Sequence, residues 1–117
     1  MAISIPIFTS QLEKAREATD LANIRAAYSE LTADALSGDA VAEKTEGKIK
    51  INASTASAGV TTYTATVTLV QKVDGWTTTP DTIGGMSVTA GSTPKAGGSA
   101  TITIKSDGTA ATLAFSS

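Results

Sequence analysis

A chain of 117 residues with a formal charge of −2 has room for one domain and shows no basic excess that would hold nucleic acid. It contains neither cysteine nor histidine, which excludes disulfide staples, thiolate zinc sites and nucleophile–histidine catalysis. Its aromatic residues, Phe8, Tyr28, Tyr63, Trp76 and Phe115, are too few for a base-stacking platform, and no apolar run reaches the roughly 18 residues of a membrane span.

The charges divide the chain. Up to Glu46 there are eight acids and four bases; from Gly47 onward there are three acids and five bases in a background of Thr, Ser, Ala and Gly. Such a break marks a change from helix to sheet. Neither half is able to bury its apolar face alone, so one α+β domain is expected over residues 1–117.

From about Ile7 to Ser37 the chain is rich in Ala, Glu, Leu, Arg and Gln and lacks Pro and Gly, which predicts one long helix. Pro6 suits the first turn and Gly38 can end the helix in a left-handed conformation. Two apolar stripes run along it. Leu21, Ile24, Tyr28, Leu31 and Ala35 form a surface for packing on a sheet. Ile5, Phe8, Leu12 and Ala15, continuing through Ala22 and Ala26, fall nearly opposite, which calls for a second partner and a protruding N-terminal part. Glu13, Lys14, Arg16, Glu17 and Asp20 read as a solvated face with i, i+3 and i, i+4 pairs.

The second half reads as antiparallel sheet. Gly47 to Ile51 alternates as a short strand, and Thr61 to Gln71 sets Tyr63, Ala65, Val67 and Leu69 against Thr64, Thr66 and Thr68. Ala100, Ile102 and Ile104 alternate with Thr101, Thr103 and Lys105; Asp107-Gly108 supplies a turn, and Leu113 and Phe115 lead a returning strand. The predicted helix–sheet core is therefore Leu21, Ile24, Tyr28, Leu31, Tyr63, Val67, Leu69, Ile102, Ile104, Leu113 and Phe115. Val73 to Gly98, rich in turn formers, reads as a long surface excursion with one short strand near Met86 to Thr89. Its single aromatic, Trp76, either pins this loop to the core or offers a surface-binding group.

The stretch Ile3-Ser4-Ile5-Pro6-Ile7-Phe8-Thr9-Ser10-Gln11-Leu12-Glu13-Lys14-Ala15-Arg16-Glu17-Ala18, continued by Asp20 to Tyr28, resembles the type IV pilins and pseudopilins. In that family an A-I-P-x-F segment runs into a polar K-A-R/K helix just after the membrane-spanning part. The match covers residues 3 to 37 and is closest in style to pilin-like proteins of Gram-positive, clostridia-like bacteria; over residues 47 to 117 it rests on strand order alone. The family's processing site, and the apolar stretch that carries its assembly glutamate, are not among these residues. The resemblance therefore implies a soluble, N-terminally truncated piece of a longer parent.

The resemblance implies a structural role: a major pilin whose Ile5, Phe8, Leu12, Ala15, Ala22 and Ala26 face packs against neighbouring helices in a filament for adhesion or motility. Its partners would be further copies of itself and the pilus assembly machinery. The parent would be a precursor in the cytoplasmic membrane that ends on the cell surface, while the present chain would be monomeric. A minor pilin or pseudopilin of a type II secretion or DNA-uptake system keeps the fold and changes the role. A carbohydrate- or surface-binding module built on Trp76 and the threonine face is a third reading. Enzymatic activity is not expected: Asp74, Asp81 and Asp107 occupy turn contexts. No cofactor and no metal is expected.

Overall fold

The computed structural model describes residues 5–38, 40–72, 82–83, 86–89, 93–108 and 110–116, with the backbone alone for 5–10 and 82. Helix α1 runs from Ile5–Ser37, 33 residues and about 50 Å. It stops where Gly38 adopts φ +76° and donates to the Ala35 carbonyl (3.3 Å). Eight strands follow among the described residues: β1 (Lys44–Glu46), β2 (Ile49–Ile51), β3 (Thr55–Ser57), β4 (Val60–Thr68), β5 (Thr82–Ile83), β6 (Met86–Val88), β7 (Ser99–Lys105) and β8 (Thr112–Ser116). The molecule measures 63 × 27 × 20 Å along its principal axes.

The strands form one sheet in the order β1-β2-β4-β7-β8-β6-β5, with β3 pairing the first part of β4. Alternation fixes its register. Ile51, Ala65, Ile102 and Leu113 align across four strands, and Ile49, Val67, Ala100 and Phe115 make the next rank. Both ranks face α1, which lies mainly on β4 and β7 and also touches β2. Ile24, Ala27 and Leu31 are buried from the helix side, flanked by Leu21, Tyr28 and Ala35. Full burial of each large aliphatic side chain here stabilises the fold by about 1.5–3 kcal/mol. The opposite ranks carry Lys50, Thr66, Thr101 and Ala114, then Thr64, Thr103 and Thr112. Among the described residues one helix covers one face of the sheet, and no helix lies on the threonine face.

The structure corrects four expectations. The sheet is mixed rather than antiparallel, because β6 runs parallel to β8 with Ser87 opposite Thr112 and Val88 opposite Leu113. A parallel neighbour needs a long connection, and residues 89–111, which include β7, supply it. The stretch from Val73 to Gly98 is not all surface excursion. It holds two strands instead of one, and Ile83 and Met86 are buried in the core, as is Pro94. Trp76 and the rest of 73–81 lie outside the described residues. Third, β1 and β3 had no apolar alternation to reveal them: their sequences are Lys-Thr-Glu and Thr-Ala-Ser, and all six residues are exposed.

The β3–β4 hairpin turns on Ala58 and Gly59, both at positive φ (53° and 81°), as a two-residue primed turn requires. An alanine held in that left-handed conformation is strained by about 1 kcal/mol or more. Ala58→Asn is therefore expected to raise stability by about 0.5–1 kcal/mol; an unchanged or lowered midpoint in urea would contradict this reading of the turn.

The fourth correction concerns Asp20, read from sequence as part of a solvated face. It is wholly buried, among the residues that pack on the sheet. Its Oδ1 accepts a hydrogen bond from the Val70 N–H (2.7 Å) and its Oδ2 one from the Gln71 N–H (3.1 Å). Two turns earlier, both carboxylate oxygens of Glu13 accept from the Lys72 N–H (3.0 and 3.3 Å). Where β4 leaves the sheet its backbone donors lose their strand partners, and helix carboxylates take their place. Leu69, just before, donates to the Gly98 carbonyl instead (2.9 Å).

Candidate assembly face of the helix

Packing of α1 on the sheet uses Asp20, Ile24, Ala27 and Leu31, with Glu13 continuing the same line. At about 100° per residue the centre of the opposite side passes close to Ala15, Ala22, Ala26 and Ala33. All four are exposed. Leu12 and Leu36, at the two ends of this band, are the large hydrophobic side chains that stand in water among the described residues, 40% and 83% exposed. Isolated exposed leucines are unremarkable on a monomer, but these two bracket a band of exposed alanines flanked by Arg25. Of the predicted face, Leu12, Ala15, Ala22 and Ala26 thus lie together on one exposed side, while the side chains of Ile5 and Phe8 lie outside the described residues. Ala33 and Leu36 extend the band; the sequence reading stopped its count at Ala26, although the same spacing continued.

The predicted core residues take the other side or the sheet. Ile24, Leu31, Tyr63, Val67, Leu69, Ile102, Leu113 and Phe115 are buried, and Leu21, Tyr28 and Ile104 are partly buried against them.

Electrostatics at the helix are short-range. Glu13 pairs with Arg16 (3.3 Å) as it holds Lys72, so two groups read as a solvated face are engaged. Glu30 accepts from Lys44 on β1 (2.6 Å). That hydrogen bond raises the Lys44 ammonium above its usual value, with Asp34 and Glu46 adding to it. Burial raises the Asp20 carboxyl, opposed by its two backbone donors and aided by the negative charges of Glu13 and Glu17. Among the described residues no three side chains capable of holding a metal ion come together, and no described helix is long and apolar enough to cross a membrane.

The arrangement is a helical rod with one side committed to its own sheet and the other exposed and rich in alanine, with Lys14 and Arg25 exposed along its flank. Small side chains let a second backbone approach closely, which favours packing against another rod. Comparison with protein-family models, with curated proteins and with solved structures returns no match for this chain.

Proposed function

We propose that this chain is the globular part of a structural filament subunit of the type IV pilin kind, polymerising by packing of α1 against the helices of neighbouring copies. The observation that carries the reading is the exposed apolar band of α1, Leu12 through Leu36, on the side turned away from the sheet that α1 covers. The similarity of residues 3 to 37 to the pilin helix, and the order of a long helix followed by a sheet, support the same conclusion. On this reading the protein acts outside the cell, on a surface filament, and catalyses nothing.

Antibodies raised against the purified chain test it on filaments sheared from the organism that encodes it. Immunogold label along the whole length of the filaments is expected. Label confined to filament tips would indicate a minor subunit, and filaments without label would overturn the proposal.

A further inference from the structure

The face of the sheet turned away from α1 is built chiefly of hydroxyl side chains. Alternation sends Thr62, Thr64 and Thr66 of β4 outward while Tyr63, Ala65 and Val67 enter the core. Register then sets Thr64 beside Thr103 and Thr103 beside Thr112; in the next rank Thr66 stands beside Thr101, and Ala114 completes it. Neighbouring strands stand about 4.8 Å apart and successive outward residues about 7 Å, so the hydroxyls form a shallow two-dimensional array. Some of them are engaged. The Asn52 amide donates to Thr66 Oγ1 (3.2 Å), and at the rim Ser99 and Ser116 bond each other (3.0 Å). The hydroxyls of Thr64, Thr101, Thr103 and Thr112 have no hydrogen-bond partner among the described residues. Each can both donate and accept.

Charge is placed around this array and not within it. A face that serves solubility alone carries both signs interspersed. Here Lys50, opposite Thr66, stands at one border with Glu43 against it (3.5 Å). Lys105, opposite Thr62, stands at another, with Asp107 in the turn beyond it. Lys105, and Lys48 in the turn before β2, are exposed and have no ion-pair partner among the described residues. From Gly47 onward bases outnumber acids five to three, although the whole chain carries −2. The sheet is therefore the positive part of an acidic molecule. Tyr28, Tyr63 and Phe115 all pack on the core side, so no described ring is offered on the array for bases or sugar rings to stack upon.

We propose that this face binds an acidic polysaccharide, an extended chain of hydroxyl-rich sugars that carries carboxylates. Sugar hydroxyls exchange donor and acceptor roles with the free threonine hydroxyls, and the carboxylates meet Lys48, Lys50 and Lys105. A shallow array without a cleft suits a long chain held at many weak points, where a small molecule would need a concave site. The proposal uses no residue of α1 and stands whether or not the chain polymerises.

Electrophoresis of the purified chain through native gels tests it. The gels contain alginate (a polyuronate), dextran (an uncharged glucan) or polyphosphate (an anion without sugar hydroxyls). Alginate is expected to retard the chain at a concentration at least threefold below that needed of the other two. Thr101→Val with Thr103→Val keeps the branched shape and strand preference while removing two hydroxyls, and should weaken retention by alginate about fivefold. Lys50→Gln with Lys105→Gln should weaken it by a similar factor, and Glu43→Gln, which frees Lys50, should strengthen it about twofold. Lys14→Gln with Arg25→Gln makes the same change of charge on α1 and should leave retention unchanged. Absence of retention by alginate would overturn the proposal. So would equal retention by polyphosphate, unchanged retention of the threonine variant, or equal weakening by the α1 variant. None of these outcomes bears on the immunogold result, which tests the filament reading separately.

Discussion

Asp20→Ala is expected to lower the stability of the fold by about 3 kcal/mol in urea unfolding, more than most truncations at a charged residue. The carboxylate does not act as a surface charge. It fills the acceptor role for two consecutive backbone N–H groups at the end of β4, in a place shut off from water. Alanine leaves both donors without a partner, at about 1–3 kcal/mol each. Asp20→Asn keeps one acceptor oxygen and turns an amide toward the other donor, so its expected cost is intermediate. The pH dependence has a definite sign. Burial raises the folded-state carboxyl above its ordinary 3.8, the effect of the two donors being smaller. The folded chain thus holds this proton more tightly than the unfolded chain. The stability that the group contributes is fully present below about 3.8 and is lost as pH rises through the raised folded value. Asparagine does not titrate, so the margin of the wild type over Asp20→Asn is expected to be larger near pH 4 than near pH 7. An equal margin at both, or the reverse order, would show that the hydrogen bonds and not burial govern the group.

Gly98→Ala is expected to cost about 2–4 kcal/mol by the same measurement. A Cβ on Gly98 would collide with the carbonyl oxygen of Ser116 and crowd the Cβ and carbonyl of Lys95, both 3.2 Å away. Backbone on β8 cannot yield as a flexible side chain would. Nor is Gly98 free to retreat, because its N–H donates to the Lys95 carbonyl (3.0 Å) and its own carbonyl accepts from Leu69 (2.9 Å). Gly47→Ala separates this collision from a general loss of glycine. Nothing surrounds a Cβ there, and only its positive φ (59°) is strained, at a cost of about 1 kcal/mol. Equal losses for the two variants would contradict the collision.

These two residues also show what could not be read from sequence. Leu21, Ile24, Tyr28 and Leu31 announced themselves because helix period and burial coincide at one face. Tyr63, Val67, Ile102 and Leu113 did so through strand alternation. Asp20 sits on the same buried line, yet a charge there reads as a break toward solvent. Its partners, Val70 and Gln71, stand some fifty residues away and become neighbours only when the chain folds. Strand β6 is short and parallel to β8, a pairing with no local signature. The β3–β4 turn was hidden because Ala58 stands where asparagine or glycine usually marks such a hairpin. The exposed helix face was legible by period alone, since Leu12, Ala15, Ala22 and Ala26 needed no distant partner to define them.

The proposed assembly leaves this helix face open in the single chain and closes it in the filament. Maleimide labelling of an Ala26→Cys variant tests it most directly, on the purified chain and on filaments sheared from cells producing that variant. The face predicts labelling at the rate of an exposed thiol in the purified chain and strong protection in the filaments. Equal labelling in both would contradict it.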